Sequence, residues 1–126
     1  MKIETSNSFL QYLDNIMFVR IKEGVELTIE SMHEQYEAQN KLIGNDQYVV
    51  LVDGTQNAII PPETRSLMAQ HRPPNRRATA IVTNKNLATL IIANNYLKMN
   101  KPKIKTKLFK QEDKAIFWLK RQLKKK

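Results

Sequence analysis

A chain of 126 residues is enough for one domain and no more, large enough to bury roughly two-thirds of the surface its unfolded form exposes. Its 41% hydrophobic and 26% charged shares exclude a disordered or collagen-like chain, and the lack of cysteine excludes disulfide frameworks, zinc ribbons and thiol nucleophiles. The net charge of +9 is unevenly placed: residues 98–126 hold twelve basic and two acidic residues, whereas the first 97 hold nine basic and ten acidic, with acids at Glu23, Glu26, Glu30, Glu34 and Glu37.

The chain opens on Met1-Lys2-Ile3-Glu4, which lacks the apolar core of a signal peptide, and no later apolar run approaches the length of a membrane span. A cytoplasmic protein with no membrane insertion is the expectation. Asp14-Asn15 stands between two strand-like runs, residues 9–13 and 16–22, and Asx residues tolerate the positive φ of a two-residue hairpin turn. In the second run Ile16 and Phe18 alternate with Met17, Val19 and Ile21, so both faces are apolar and the strand belongs inside a sheet.

Thr28 supplies an N-cap oxygen and Glu30 suits the first turn of a helix whose apolar stripe runs through Ile29, Met32, Tyr36 and Ile43 to Gly44. Residues 48–52 form a short apolar run closed by Asp53-Gly54, which predicts a strand buried on both faces. Pro61-Pro62-Glu63 starts a second helix, with Leu67 and Met68 as its buried stripe up to His71. Residues 78–83 read as a strand, Asn84 as a cap, and Leu87, Leu90, Ile91 and Asn94 as helical steps toward Asn100 and Pro102.

In residues 103–109, Ile104, Thr106 and Leu108 share one face and Lys103, Lys105 and Lys107 the other, a pattern that keeps an edge strand from pairing with other chains. A last helix, residues 111–123, buries Ala115, Ile116, Trp118 and Leu119, with Glu112 and Asp113 at its positive end and lysines at its negative end. The basic tail 124–126 is expected to fray. The order β-β-α-β-α-β-α-β-α gives an α/β domain over residues 1–126: a hairpin followed by βα repeats, with about five strands in a mixed, mostly parallel sheet and about four helices.

The order of elements around Val50-Leu51-Val52-Asp53, Ile59-Ile60 and the helix start after them resembles a STAS domain, the fold of bacterial anti-sigma-factor antagonists, over nearly the whole chain. Asn95-Tyr96-Leu97-Lys98, Asn100-Lys101-Pro102 and the acidic helix start leading to Ala115 and Trp118-Leu119 are similar to a group of small uncharacterised bacterial STAS-like domains. The resemblance implies a regulatory domain without enzymatic activity. In the antagonists a strand-ending Asp and a hydrophobic pair lead into an Asp-Ser-Ser-Gly turn whose serine is phosphorylated by a partner kinase. Here Asp53 and Ile59-Ile60 match, but Pro61-Pro62-Glu63-Thr64 replaces the turn, with neither serine nor glycine. The phosphorylation switch is therefore expected to be absent, while recognition of a protein by the same face is retained.

Other chemistry is thinly supported. His33-Glu34-Gln35-Tyr36-Glu37 has the first half of a metalloprotease helix but no second histidine four residues on, so no metal site is expected. Gly24, Gly44 and Gly54 form no phosphate-cradling loop, and no cofactor is expected. The segment from His71 to Arg77 carries Arg72, Arg76 and Arg77, a candidate anion loop. The carboxyl ends of the strands give a candidate interaction face of Asp53, Thr55, Pro62, Glu63, Thr64, Thr83 and Asn84. Lys105, Lys107, Lys114, Arg121 and Lys125 form a candidate basic patch, where lysine's dominance favours diffuse phosphate attraction over base readout. Two functions are chiefly in view: a domain acting through protein partners, a homodimer among them, or a basic adaptor binding nucleic acid or anionic surfaces weakly and without sequence preference through residues 98–126; a third, a small-ligand pocket at the carboxyl ends of the strands, rests on fold analogy alone.

Overall fold

In the computed structural model, which describes residues 1–84 and 87–124, one six-stranded sheet carries helices on both faces. Strand β1 (Lys2–Glu4) pairs antiparallel with β2 (Ser8–Leu13), Lys2 lying opposite Gln11. Three residues are too few for an alternation to be read, so this strand had no signal in the sequence. β2 turns into β3 (Ile16–Ile21) through Asp14 and Asn15, whose φ of 52° and 64° is the paired positive φ of a type I′ turn. The side-chain amide of Asn15 also donates to the Gln47 carbonyl at 3.0 Å, which fastens the turn to the entrance of the next strand.

From β3 onward the pairing is parallel: β3 with β4 (Tyr48–Asp53), β4 with β5 (Arg76–Val82), and β5 with β6 (Thr106–Phe109). The sheet therefore runs β1 to β6 in chain order, with β4 inside and β6 on an edge. Each parallel step crosses over through a helix, as parallel pairing requires.

Helix α1 (Ile29–Leu42) begins as the sequence predicts, with Thr28 Oγ1 accepting the Ser31 N–H at 3.0 Å. It ends two residues before Gly44, because Ile43 is already extended and turns its side chain into the core. α2 (Pro62–Gln70) starts behind Pro61 with no side-chain cap, Pro62 needing no partner for a missing N–H. α3 (Leu87–Asn95) widens into a π-type turn, Tyr96–Asn100, and stops where Lys101 takes φ 50° ahead of Pro102. α4 (Glu112–Lys124) closes the chain.

The two-sided apolarity of β3 and β4 builds two cores. Met17, Val19, Tyr48 and Val50 face α1 and α2 together with Leu10, Leu27 and Met32, whereas Ile16, Val49 and Leu51 face α4 together with Ala78, Ala80, Ala115 and Leu119. At about 1.5–3 kcal/mol for each fully buried aliphatic side chain, these faces are what hold the helices to the sheet. The alanines of β5 and Ala115 have little volume to offer, which lets α4 lie close against the sheet.

Candidate functional site

The carboxyl ends of β3, β4 and β5 present a loop whose path is tied down by hydrogen bonds. Asp53 Oδ1 accepts the backbone N–H of Thr55 at 3.1 Å and its hydroxyl at 2.7 Å, while Asp53 Oδ2 stands 3.5 Å from Arg20 Nε. Asn84 Nδ2 donates to the Thr55 carbonyl at 3.2 Å and to Asn57 Oδ1 at 2.9 Å. Asn84 thereby holds the β4–α2 loop from the end of β5.

The same loop is laced to the segment before α1 by Leu27 N–H to Ile59 O and Ile59 N–H to Val25 O, both 2.8 Å. Ile59 is nevertheless 59% exposed, beside exposed Pro62 and Glu63. Two expected members of this face are not on it. Thr64 is 0% and Thr83 4% exposed, because both turn toward the interior where helix and strand pack.

Beneath that edge, between the sheet and helices α1, α2 and α3, lies a cavity of about 490 Å³. Its walls are mostly aliphatic, among them Ile21, Met32, Val52, Met68, Ile81 and Ile92. Arg76, at the start of β5, lines it, and its Nη2 donates to Gln39 Oε1 at 2.8 Å with the guanidinium 5.9 Å from the Tyr48 ring centre. Gln39 is held by its own Nε2 on Gln35 Oε1 at 3.0 Å, and Gln35 Nε2 reaches Ser8 Oγ at 3.3 Å. Arg76 Nε is buried without a hydrogen-bond partner. The ion pairs among the described residues, Arg20 with Asp53 and Lys22 with Glu4, do not include it.

Near Arg76 the rings of Tyr36 and His71 stack with centres 3.6 Å apart and planes 8° from parallel. Burial, reinforced by the charges of Arg76 and His33, pushes the His71 pKa down to about 4, so its ring is neutral at pH 7. Burial pushes Tyr36 and Tyr96 up to about 12, which keeps both hydroxyls protonated.

The expected anion loop is split by this arrangement. Arg76 and Arg77 belong to β5 and not to a loop, and successive strand residues leave the backbone in different directions. Arg76 enters the cavity, Arg77 Nη1 lies 3.3 Å from Gln47 Oε1, and Arg72 stays exposed. A small-ligand pocket at the strand ends had only fold analogy behind it in the sequence, and no residue pattern marked this cavity's walls. The one local trace is that Gln35 and Gln39, four apart on α1, interrupt the buried face of an otherwise apolar stripe.

On the opposite side of the sheet, β6 and α4 form a groove lined by Lys107, Phe109, Lys114, Phe117, Trp118 and Arg121, with Asp113 at its rim. Lys105 and Lys107 Nζ stand 5.9 Å and 6.0 Å from the Trp118 ring centre, and Arg121 stands 5.9 Å from that of Phe117. Trp118 is only half-buried and packs on Phe109 at 5.6 Å, while Phe117 is 66% exposed. Four residues of the expected basic patch thus meet at one groove, with aromatics among them. Lys125 lies outside the described residues. Among those residues no group of His, Asp and Glu could hold a metal ion, and no helix is long and apolar enough to cross a membrane.

A search of curated proteins finds no match to the chain. Among solved structures, it is similar to an uncharacterised protein of the DUF3478 family from Shewanella loihica PV-4, described as having a SpoIIAA-like fold. The TM-score is 0.53 at 17% identity, over 89% of this chain and 91% of that one, a likeness of fold alone. The architecture is therefore SpoIIAA-like, that is, STAS-like, as the order of elements implied. A family model described as Domain of unknown function (DUF7793) matches residues 10–123, and the chain belongs to that family.

Proposed function

We propose that this STAS-like domain is a non-enzymatic regulatory or scaffolding module of the cytoplasm that docks a protein partner at the carboxyl edge of its parallel strands. The observation that carries this reading is Ile59: a large apolar side chain, 59% exposed, on a loop fixed by backbone bonds to residues 25 and 27. A rigid loop with an apolar anchor loses little entropy on binding, and the neighbouring Glu63 adds charge for selectivity. The test is affinity capture from extracts of the native host, with and without nuclease, comparing the wild type with Ile59→Asp. A defined protein captured despite nuclease, and lost by about tenfold or more in the variant, is the expected result. Equal capture by both would refute the role of this edge.

A second reading is favoured by the groove between β6 and α4, where Lys107, Lys114 and Arg121 surround Phe117 and Trp118. Cations beside exposed rings are the elements of sequence-tolerant binding to single-stranded nucleic acid. Here we expect weak association, with Kd no tighter than roughly 10⁻⁶ M at physiological salt. Affinity for oligonucleotides is expected to fall steeply with salt, by about 10³–10⁵ between 50 and 200 mM if 6–10 phosphates are engaged. Nanomolar binding that survives 200 mM salt and discriminates among sequences would put this reading ahead of the first.

A further inference from the structure

The cavity between the sheet and helices α1 to α3 lies apart from the groove of β6 and α4 and beneath the docking edge, whose Ile59 is among its lining residues, and it combines two features that do not ordinarily go together. Its walls are mostly aliphatic, yet the guanidinium groups of Arg65 and Arg76 line it, no Asp or Glu does, and the ion pairs among the described residues include neither arginine. The amide chain from Ser8 through Gln35 and Gln39 orients Arg76 by a 2.8 Å bond but carries no charge to neutralise it. Arg76 is half-buried, and its Nε is buried with no hydrogen-bond acceptor, an arrangement that costs free energy until an acceptor or an opposite charge reaches it. Tyr36, Tyr96 and His71 line the same cavity within electrostatic reach of Arg76 and are neutral there, so they offer hydrogen bonds without competing charge.

We propose that the cavity binds an amphiphilic monocarboxylate, a medium-chain fatty acid, with its carboxylate on Arg76 and its chain among the aliphatic side chains between sheet and helices. The volume of about 490 Å³ lies within the ~300–1,000 Å³ range of small-molecule sites. A planar guanidinium fork suits a carboxylate, whose two oxygens can take Nε–H and a neighbouring N–H together. A nucleotide or polyphosphate is a poor fit, because its several charges would meet aliphatic walls for most of the cavity's length.

Isothermal titration of the full chain with octanoate, decanoate and decanol, below their micelle concentrations, tests the assignment. Decanoate is expected to bind one to one, with affinity rising about fourfold for each added CH₂ from octanoate to decanoate. Decanol is expected to bind at least about tenfold more weakly, since a hydrogen bond to a charged group exceeds one to a neutral group. Arg76→Met should lower decanoate affinity by about tenfold or more while leaving decanol binding unchanged or tighter. Should that variant fail to fold, Arg76→Lys keeps the charge without the fork and is expected to show a smaller loss. Methyl NMR should place the perturbed resonances at Ile21 and Ile81, and a double variant at the opposite groove, Lys114→Gln with Arg121→Gln, should bind decanoate as the wild type does. No decanoate binding, decanoate and decanol binding alike, undiminished affinity in Arg76→Met, or loss of binding in the groove variant would each overturn the proposal. None of these outcomes depends on whether Ile59 docks a protein.

Discussion

Thr64 is the hydroxyl nearest the position where the STAS antagonists carry their phosphorylated serine, and it is the third residue of α2, fully enclosed. Its Oγ1 has no access to solvent and no hydrogen-bond partner, so a kinase would have to unwind the start of the helix to reach it. Incubation with a kinase of the sigma-regulating type is expected to leave residues 59–66 unmodified by intact-mass measurement; stoichiometric phosphate on Thr64 or Ser66 would contradict this. His71 makes a different residue-scale prediction. Its pKa is pushed down from 6.5 to about 4 by burial, then by Arg76 and His33, so between those values the unfolded chain binds more protons than the folded one. Stability from this group is fully present above pH 6.5 and is lost as pH falls toward 4. The ring is about half in solvent, so the effect is on the order of 1 kcal/mol after allowance for screening. Urea titrations at pH 7.5, 6 and 5 should show the wild type losing more stability than His71→Gln; parallel losses would place the acid sensitivity elsewhere.

Helix α4 is the element that covers the Ile16, Val49 and Leu51 face of the sheet, and it does so mainly through Ala115 and Leu119, each 0% exposed. Leu119→Ala is expected to destabilise the fold by about 3 kcal/mol, since a residue fully enclosed between helix and sheet leaves a cavity that rigid strands cannot collapse. Phe117→Ala, on the exposed side of the same helix, should change stability by no more than about 0.5 kcal/mol. Chemical denaturation of the two variants checks the pair, and equal losses would mean that α4 is turned differently on the sheet. The strand beside it shows how an alternation can be read correctly and interpreted incompletely. Lys105 and Lys107 share a face as their spacing requires, but that face looks toward α4, and the two exposed side chains bring their ammonium groups to about 6 Å from the Trp118 ring centre. Only residues 106–109 are strand, so Lys103 is not part of the edge; its N–H donates to the Ala69 carbonyl at 2.8 Å and ties the approach to β6 onto the end of α2.

At the scale of the molecule the charge asymmetry survives folding as two surfaces. Glu26, Glu30, Glu34 and Glu37 are exposed on or just before α1, and the basic residues of α4 lie across the sheet from them. Opposite charges on opposite faces favour contact between copies, and exposed Phe9 and Leu13 on β2 offer apolar area. A homodimer at micromolar concentration is expected by light scattering, weakened by salt if charge drives it and indifferent to salt if apolar packing does. A monomer at both low and high salt would end the idea.

Local rules were enough for the order of elements. The paired positive φ at Asp14 and Asn15, the cap at Thr28, the two-sided strand at residues 48–52 and the proline start of α2 are each decided by a few adjacent residues, whose preferences need no distant partner. From that order alone the STAS-like architecture was legible. What the tertiary structure decided is where chemistry meets. Arg76 is 37 residues from the glutamine that orients it, and nothing near it in the chain distinguishes it from Arg72 or Arg77. Thr64 and Asp53 look equally suited to a surface until packing buries one and leaves the other partly open. The cavity has no counterpart in any local pattern, because a space between elements is a property of helices held apart over a sheet, set by side-chain volumes from several elements at once.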